Sequence, residues 1–460
     1  MVEYRYAPIG VLADALRTRR VSAVELADEA TRLLAEFGPR YNAVATLTRE
    51  RAADEARAAD DRLGSGDAPV LTGVPYGAKD LFAARGAPTT WGNAHFAERV
   101  FQTDASVIQR LRKQGAVLAA KLAMSEFAGG GRPFKPGASM HGQGRNPWDP
   151  ERYSGGSSSG SGIAVAAGLL PFTLGTETGG STIGPAAFSG VTGLRPTFGL
   201  IPLGGAMTLS WSLDKVGVLA RSAEDIVLVM DALTGSRRPM HAPVQISDAG
   251  ALRVALAHTE LEEASPSIRR ALEQGLAEFR RLFANVVDIE LDRNISYIDA
   301  IEEIVRVEGG FGLREHLRRD DFAMADERQL ATLRSGLDVP SADYLEGVRV
   351  TMPAARRAFD AVFRRADVIV SASRTSIAPR LDEERPPRDA TKLSDLLRAA
   401  GNLAGVPGVS FPCGLSDEGM PVGLQVVGPR GSDALLLSVV AAFQRQTEYH
   451  RQRPPASSLA

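Results

Sequence analysis

One cysteine in 460 residues, six histidines and a formal net charge of −2 are the first things this chain has little of. Each scarcity excludes something. A lone Cys413 cannot form an intramolecular disulfide and fits a reducing compartment. Placed in Phe411-Pro412-Cys413-Gly414 after an apolar stretch, it reads as a small buried hydrophobe. The charge balance, with a pI of about 6.4, leaves no electrostatic footprint for nucleic acid or an anionic membrane. His95, His141, His241, His258, His316 and His450 are scattered. There is no H-E-x-x-H and no His/Cys cluster, so metal hydrolysis has no ligand set and a Ser-His-Asp enzyme has no placed base. Long apolar runs are missing too. The longest uncharged one, Ile163 to Gly175, carries Pro171 and is too short for a bilayer. The N-terminal segment shows no signal-peptide pattern, and a cytoplasmic protein is expected.

What is present is ordinary globular material: 44% hydrophobic and 23% charged residues, enough to bury a sizeable core. By length alone, one large domain and two domains are both open. Ser22-Ala23-Val24-Glu25 is a capping box, with an apolar stripe at Leu26, Ala30, Leu33 and Leu34 behind it. Residues 51–62 form an Ala-rich charged helix, expected to be a solvated face. A strand at Leu71–Ala78, a helix at Asp104–Gln114 and a strand at Ala116–Ala120 suggest a parallel unit. The alternation recurs at Leu252–His258, Pro266–Phe283 and Val286–Ile289, and again at Pro353–Arg365, Asp367–Ser371 and Thr391–Leu403. A strand at Pro421–Val427 and a helix at Ser432–Thr447 close it. The pattern is α/β, on a mostly parallel or mixed sheet covered on both faces.

The stretch Phe127–Ser161 breaks that pattern. Rich in Gly, Ser and Pro, it is expected to be largely loop, and so long a loop is usually functional. It leads into Ser154-Gly155-Gly156-Ser157-Ser158-Ser159-Gly160-Ser161-Gly162, and later into Gly175-Thr176-Glu177-Thr178-Gly179-Gly180-Ser181. Glycines at this density let consecutive amides converge on one point, where they can stabilise an oxyanion. A flexible linker is excluded by the patterned apolar flanks. Gly156-Ser157-Ser158-Ser159-Gly160 also spells a nucleophile elbow, but that motif needs a strand before it. Asn146 to Arg152, with two prolines, does not look like one. No phosphate-binding Gly-rich loop stands at a strand-to-helix junction.

Residues 73–80 (GVPYGAKD), 155–181, 185–200 (PAAFSGVTGLRPTFGL) and 402–428 resemble the amidase signature family. The likeness covers nearly the whole chain. It implies a single large α/β domain, with a central mixed sheet flanked by helices on both faces. Within it, residues 1–65 are N-terminal helices, 70–235 a catalytic core, and 285–350 a variable substrate-side region. It also implies a Ser-Ser-Lys triad: Ser181 the nucleophile, Ser157 the bridging serine preceded by a cis peptide, Lys79 the base. Thr178, Gly179, Gly180 and Ser181 would supply the oxyanion amides. Glu177 stands where the family usually has Asp, and Ser159 where Gly is common. Ile183 replaces a basic residue often found two positions after the nucleophile.

Lysine acts as a base only when neutral, and with an ordinary pKa near ~10.4 that requires burial. Asp80 is therefore expected to turn away from Lys79. No metal or organic cofactor is expected. The partner is a small amide or carbamate, with a homodimer open as the assembly and no nucleic acid or membrane. Phe134, Ile183 and Trp211 are candidate pocket residues. With no charge at Ile183, neutral amides are expected, among them aryl amides, carbamates and urethanes. The competing readings are the glutaminase component of a tRNA-dependent amidotransferase and a non-catalytic protein on an amidase scaffold.

Overall fold

Ser22 starts the second helix as expected: its Oγ accepts from the Glu25 amide at 3.1 Å while Glu25 Oε2 accepts from the Ser22 amide at 2.8 Å. The helix runs over Ala23–Tyr41 and buries Leu26, Ala30, Leu33 and Leu34. The computed structural model describes residues 4–66, 68–129, 139–235, 252–283, 285–292, 294–383 and 396–455. The charged helix, Arg49–Ser65, is less solvated than its composition suggests. Ala52, Ala56 and Ala59 make a buried seam of small residues, and Arg51 reaches Asp104 at 2.7 Å.

The strands are β1 (Val44–Leu47), β2 (Pro75–Lys79), β3 (Val117–Leu122), β4 (Arg145–Asn146), β5 (Asp149–Tyr153), β6 (Phe172–Glu177), β7 (Thr192–Arg195), β8 (Lys215–Ala220), β9 (Arg253–Ala257), β10 (Asn285–Ile289), β11 (Val368–Ala372), β12 (Gly408–Leu415) and β13 (Pro421–Val427). Eleven of them make one sheet in the order β1-β3-β2-β6-β8-β7-β12-β13-β11-β9-β10. It is mixed: β3, β2 and β6 run parallel, as do β11, β9 and β10, and the strands between are antiparallel.

Side chains alternate across a strand, and here the alternation separates two cores. Val368 and Val370 of β11 and Val254 and Leu256 of β9 join the larger one, with Leu33, Ile108 and Phe279. Ile369, Ala255 and Ala257 face the other way, into a layer built by Ile301, Ile304, Phe359 and Leu397. Cys413 lies on β12, fully buried in the larger core.

One local strand boundary needs correction, and two other segments gain detail. The strand expected at 71–78 is the shorter β2, because a turn in which the Val74 amide bonds the Leu71 carbonyl at 3.0 Å delays its start to Pro75. Phe127–Ser161 is not all loop: β4 and β5 form a hairpin, and a helix begins at Ser159. Pro150 stands near the start of β5, which pairs with β4 on one side and meets the 379–381 segment on the other only through Glu151–Tyr153, so its missing N–H costs little. The helix expected at Thr391–Leu403 is seen over Leu396–Ala404, its first residues lying outside the described ones.

Candidate active site

Lys79 ends β2 with no exposure to solvent. Its Nζ donates to Ser157 Oγ at 2.7 Å and to Thr176 Oγ1 at 2.9 Å. Burial brings its pKa down to about 7, against the opposing pull of Asp214 and Glu177. Asp80, the next residue, does turn away. Its carboxylate accepts from Lys121 Nζ at 2.7 Å and from the Thr90 amide at 2.9 Å. The adjacent acid is thus held by a different lysine.

Ser157 follows a cis peptide bond with Gly156 and is 2% exposed. Among the described residues its hydroxyl hydrogen-bonds to the Lys79 amine and to no histidine, and, contrary to expectation, a strand, β5, precedes it. The next residue ties the two glycine segments together. Ser158 N donates to the Ser181 carbonyl at 3.3 Å, and Ser158 Oγ accepts from the Thr176 amide at 3.2 Å.

The turn after β6 carries Ser181. Gly180 has φ of +135°, a conformation open to glycine and strained for other residues. Glu177 clamps the turn from below: Oε2 accepts from the amides of Thr182 (2.8 Å) and Ile183 (2.9 Å). Its Oε1 accepts from Asn402 at 2.9 Å and Arg195 at 3.4 Å. Burial alone would raise the Glu177 pKa; Arg195 and these donors hold it below the usual range. Thr178 Oγ1 donates to Asp214 Oδ1. Asp214 Oδ2 also accepts from the amides of Leu209 and Ser210, both at 2.9 Å. The amides of Gly179, Gly180 and Ser181 donate to no backbone partner among the described residues. Ser181 and Gly179 are partly exposed, whereas Lys79 and Ser157 are buried.

The three pocket candidates fare differently. Ile183 has no exposed surface, at the start of the helix Ile183–Ser189. Trp211 is 47% exposed and stands edge-on to Phe311 with ring centroids 6.0 Å apart. Phe134 lies outside the described residues. Sequence reasoning missed Thr176, Asp214, Arg195 and Asn402. Thr176 sits in the same Gly-rich run as Ser181, which is a signal that could have found it. Arg195 follows on β7, while Asp214 and Asn402 come from more distant segments, and the packing of strands and helices around the sheet brings them in.

The glutamyl-tRNA(Gln) amidotransferase A-subunit of Azoarcus sp. (strain BH72) is 35% identical to this chain, covering 97% of it and 99% of the relative. A native peptide amidase from Stenotrophomonas maltophilia superposes with a TM-score of 0.84 at 27% identity, over 98% of this chain and 99% of that one. A structure described as a vestigial protein complex revealing the origins of an s-triazine catabolic enzyme gives 0.85 at 29% identity, over 96% and 98%. The fold and these likenesses define an enzyme that hydrolyses C–N bonds. Residues 25–437 match the family model named Amidase, and the chain belongs to that family, the amidase signature enzymes.

Proposed function

We propose that Ser181 is the nucleophile of this amidohydrolase, with Ser157 as relay and Lys79 as base. The observation that carries the reading is the buried Lys79 Nζ, 2.7 Å from Ser157 Oγ with a pKa brought to about 7. A lysine so placed is substantially neutral near neutral pH and can take a hydroxyl proton. Ser181 Oγ then attacks the amide carbonyl as its proton passes to Ser157 and the Ser157 proton to Lys79. The oxyanion forms against the amides of the 178–181 turn, where one lost donor typically costs about 3–4 kcal/mol. Collapse breaks the C–N bond, the amine leaves with the returned proton, and water hydrolyses the acyl-enzyme to a carboxylate.

Small amides are the substrate class, with aryl amides and carbamates chemically accessible to the same attack, and the enzyme works in the cytoplasm. A preference for neutral acyl groups requires Ile183 to face substrate. With Ile183 buried that ground is gone, and the choice falls to residues at the mouth. A second reading, the glutaminase component of a tRNA-dependent amidotransferase, draws on the 35% identity to a protein of that name over nearly the full chain.

Covalent labelling of the purified protein by a fluorophosphonate, lost in Ser181→Ala, tests the nucleophile. A screen of anilides, primary amides, aryl carbamates and free glutamine, with the elution volume of the protein alone, separates the two readings. Activity on glutamine alone, and only with added partner proteins, would favour the second.

A further inference from the structure

The helix Tyr297–Gly312 meets the turn that carries Ser181 in two ways. The first is direct: a Cβ built on Gly179 would lie 3.3 Å from Ile301 Cγ2. The second runs through Glu308, about two helical turns further along the same face. Glu308 has no exposure to solvent, and its carboxylate grips the segment that follows Thr208. Oε2 accepts from Ser210 Oγ at 2.6 Å and from the Ser212 amide at 3.0 Å. Oε1 accepts from Ser212 Oγ at 2.6 Å and from Tyr344 Oη at 2.8 Å. An ionised carboxylate only accepts, and these donors match its lone-pair directions. The helix also crowds the segment nearby, since a Cβ on Gly309 would lie 3.1 Å from Leu209 Cδ1.

The gripped segment carries the next link. Asp214 Oδ2 accepts from the amides of Leu209 and Ser210, both at 2.9 Å, and Oδ1 accepts from Thr178 Oγ1. Ser210 is thus held twice, its amide by Asp214 and its hydroxyl by Glu308. Thr178 opens the run of amides that ends at Ser181. Thr178, Ser210, Asp214 and Glu308 are all buried, where each bond is strong and a lost one is costly. Glu308 lies 98 positions from Ser210, far from either glycine block.

We infer that Glu308 is a positioning residue for the oxyanion amides: it fixes Ser210 and Ser212, their segment fixes Asp214, and Asp214 fixes the turn that Thr178 begins. Glu308 touches no reacting atom. Stabilising an oxyanion depends on donors aimed before the reaction starts, and a misplacement of about 1 Å can cost 100-fold in rate. The 285–350 segment, expected only on the substrate side, thereby acts on the chemistry. This inference rests on the assignment of Ser181 as nucleophile.

The test reads the second-order rate of Ser181 labelling by a fluorophosphonate, whose phosphoryl oxygen takes the oxyanion position, so no known substrate is needed. Turnover of 4-nitroacetanilide per labelled site gives the same comparison for catalysis. Glu308→Leu should lower the labelling rate by about 10- to 100-fold, less than the loss of a whole donor. Glu308→Gln should stay within about fivefold of wild type, because its carbonyl still accepts and its amide can donate to the Ser212 and Tyr344 hydroxyls. Thr178→Val keeps the Thr178 amide but removes the bond to Asp214. If Glu308 acts through that bond, the double variant should be no more than about threefold slower than Thr178→Val alone. A residue that only stabilises the fold would lower Tm and give losses that multiply. Should Glu308→Leu fail to fold, Ser212→Ala removes a bond to Glu308 and none to Asp214; it should be about three- to tenfold slower, with the same overlap. Unchanged rates in Ser212→Ala and in any folded Glu308→Leu, or losses that multiply with those of Thr178→Val, overturn the inference and leave the nucleophile in place. If Ser181 of the wild type is not labelled, the nucleophile assignment falls and this inference with it.

Discussion

Glu177 and Arg195 meet 3.4 Å apart with neither side chain exposed to solvent. The pair does more than fill the core, because the same carboxylate holds the amides of Thr182 and Ile183. Removing its charge leaves Arg195 buried without its counter-ion, a change that typically costs about 3–5 kcal/mol. Glu177→Gln should therefore lower Tm strongly and reduce kcat by loosening the turn. Glu177→Asp should keep the charge, lose less stability and retain measurable activity. Thermal unfolding and steady-state rates on the same preparations check both. Equal Tm for wild type and Glu177→Gln would contradict this account.

Lys79 sets the pH profile of the proposed relay. Its pKa is brought down to about 7 by burial, and the neutral form is the active one. The expected kcat/KM rises as pH climbs from 6 to 8, with an apparent pKa near 7. Ser181→Ala and Lys79→Ala should each lose nearly all activity, since members of one catalytic unit are not additive. Ser181→Ala should keep the wild-type Tm. A flat rate between pH 6 and 8, or Ser181→Ala with a tenth of the wild-type rate, would remove lysine or serine from its assigned part.

Lys215 gives a pH dependence of stability. Its Nζ is buried without a hydrogen-bond partner among the described residues. Burial and the nearby Arg195 bring its pKa to about 7, although Glu177 and Asp214 pull the other way. In the unfolded chain a lysine titrates near ~10.4. The folded pKa is the lower one, so the unfolded state binds more protons between these values and stability rises with pH there. Below pH 7 the full cost of a buried ammonium is present. Lys79 acts in the same direction, whereas Asp225, raised to about 6, has its effect at lower pH. Tm should climb between pH 7 and 8.5. Lys215→Met should raise Tm at pH 6 by a few degrees and flatten the climb. Scanning calorimetry at both ends of the window is the check, and a wild-type Tm that falls across it would refute the sign.

The sequence carried the site where the chemistry is local. Lys79 closes an apolar strand, the two glycine blocks announce tight turns, and Ser22 with Glu25 spells out a helix start. It carried less where contacts are long-range. Asn402 and Arg195 reach Glu177 across 225 and 18 positions respectively; all three stand in segments that carry the family resemblance, but no local pattern shows that they meet. The strand at Asp149–Tyr153 is masked by Pro147 and Pro150, which stand just before it and at its start, away from the Glu151–Tyr153 pairing. Ile183 illustrates the converse: the missing charge is visible in the sequence, but whether that position faces substrate or core is not.

The lone Cys413 has a practical consequence. It sits inside β12, between β7 and β13, with no exposed surface and a thiol pushed far up by burial. A thiol reagent in solution cannot touch it until the centre of the sheet comes apart. The rate of its modification is therefore a clock for the opening of the whole frame, built in at a single atom and needing no engineered label.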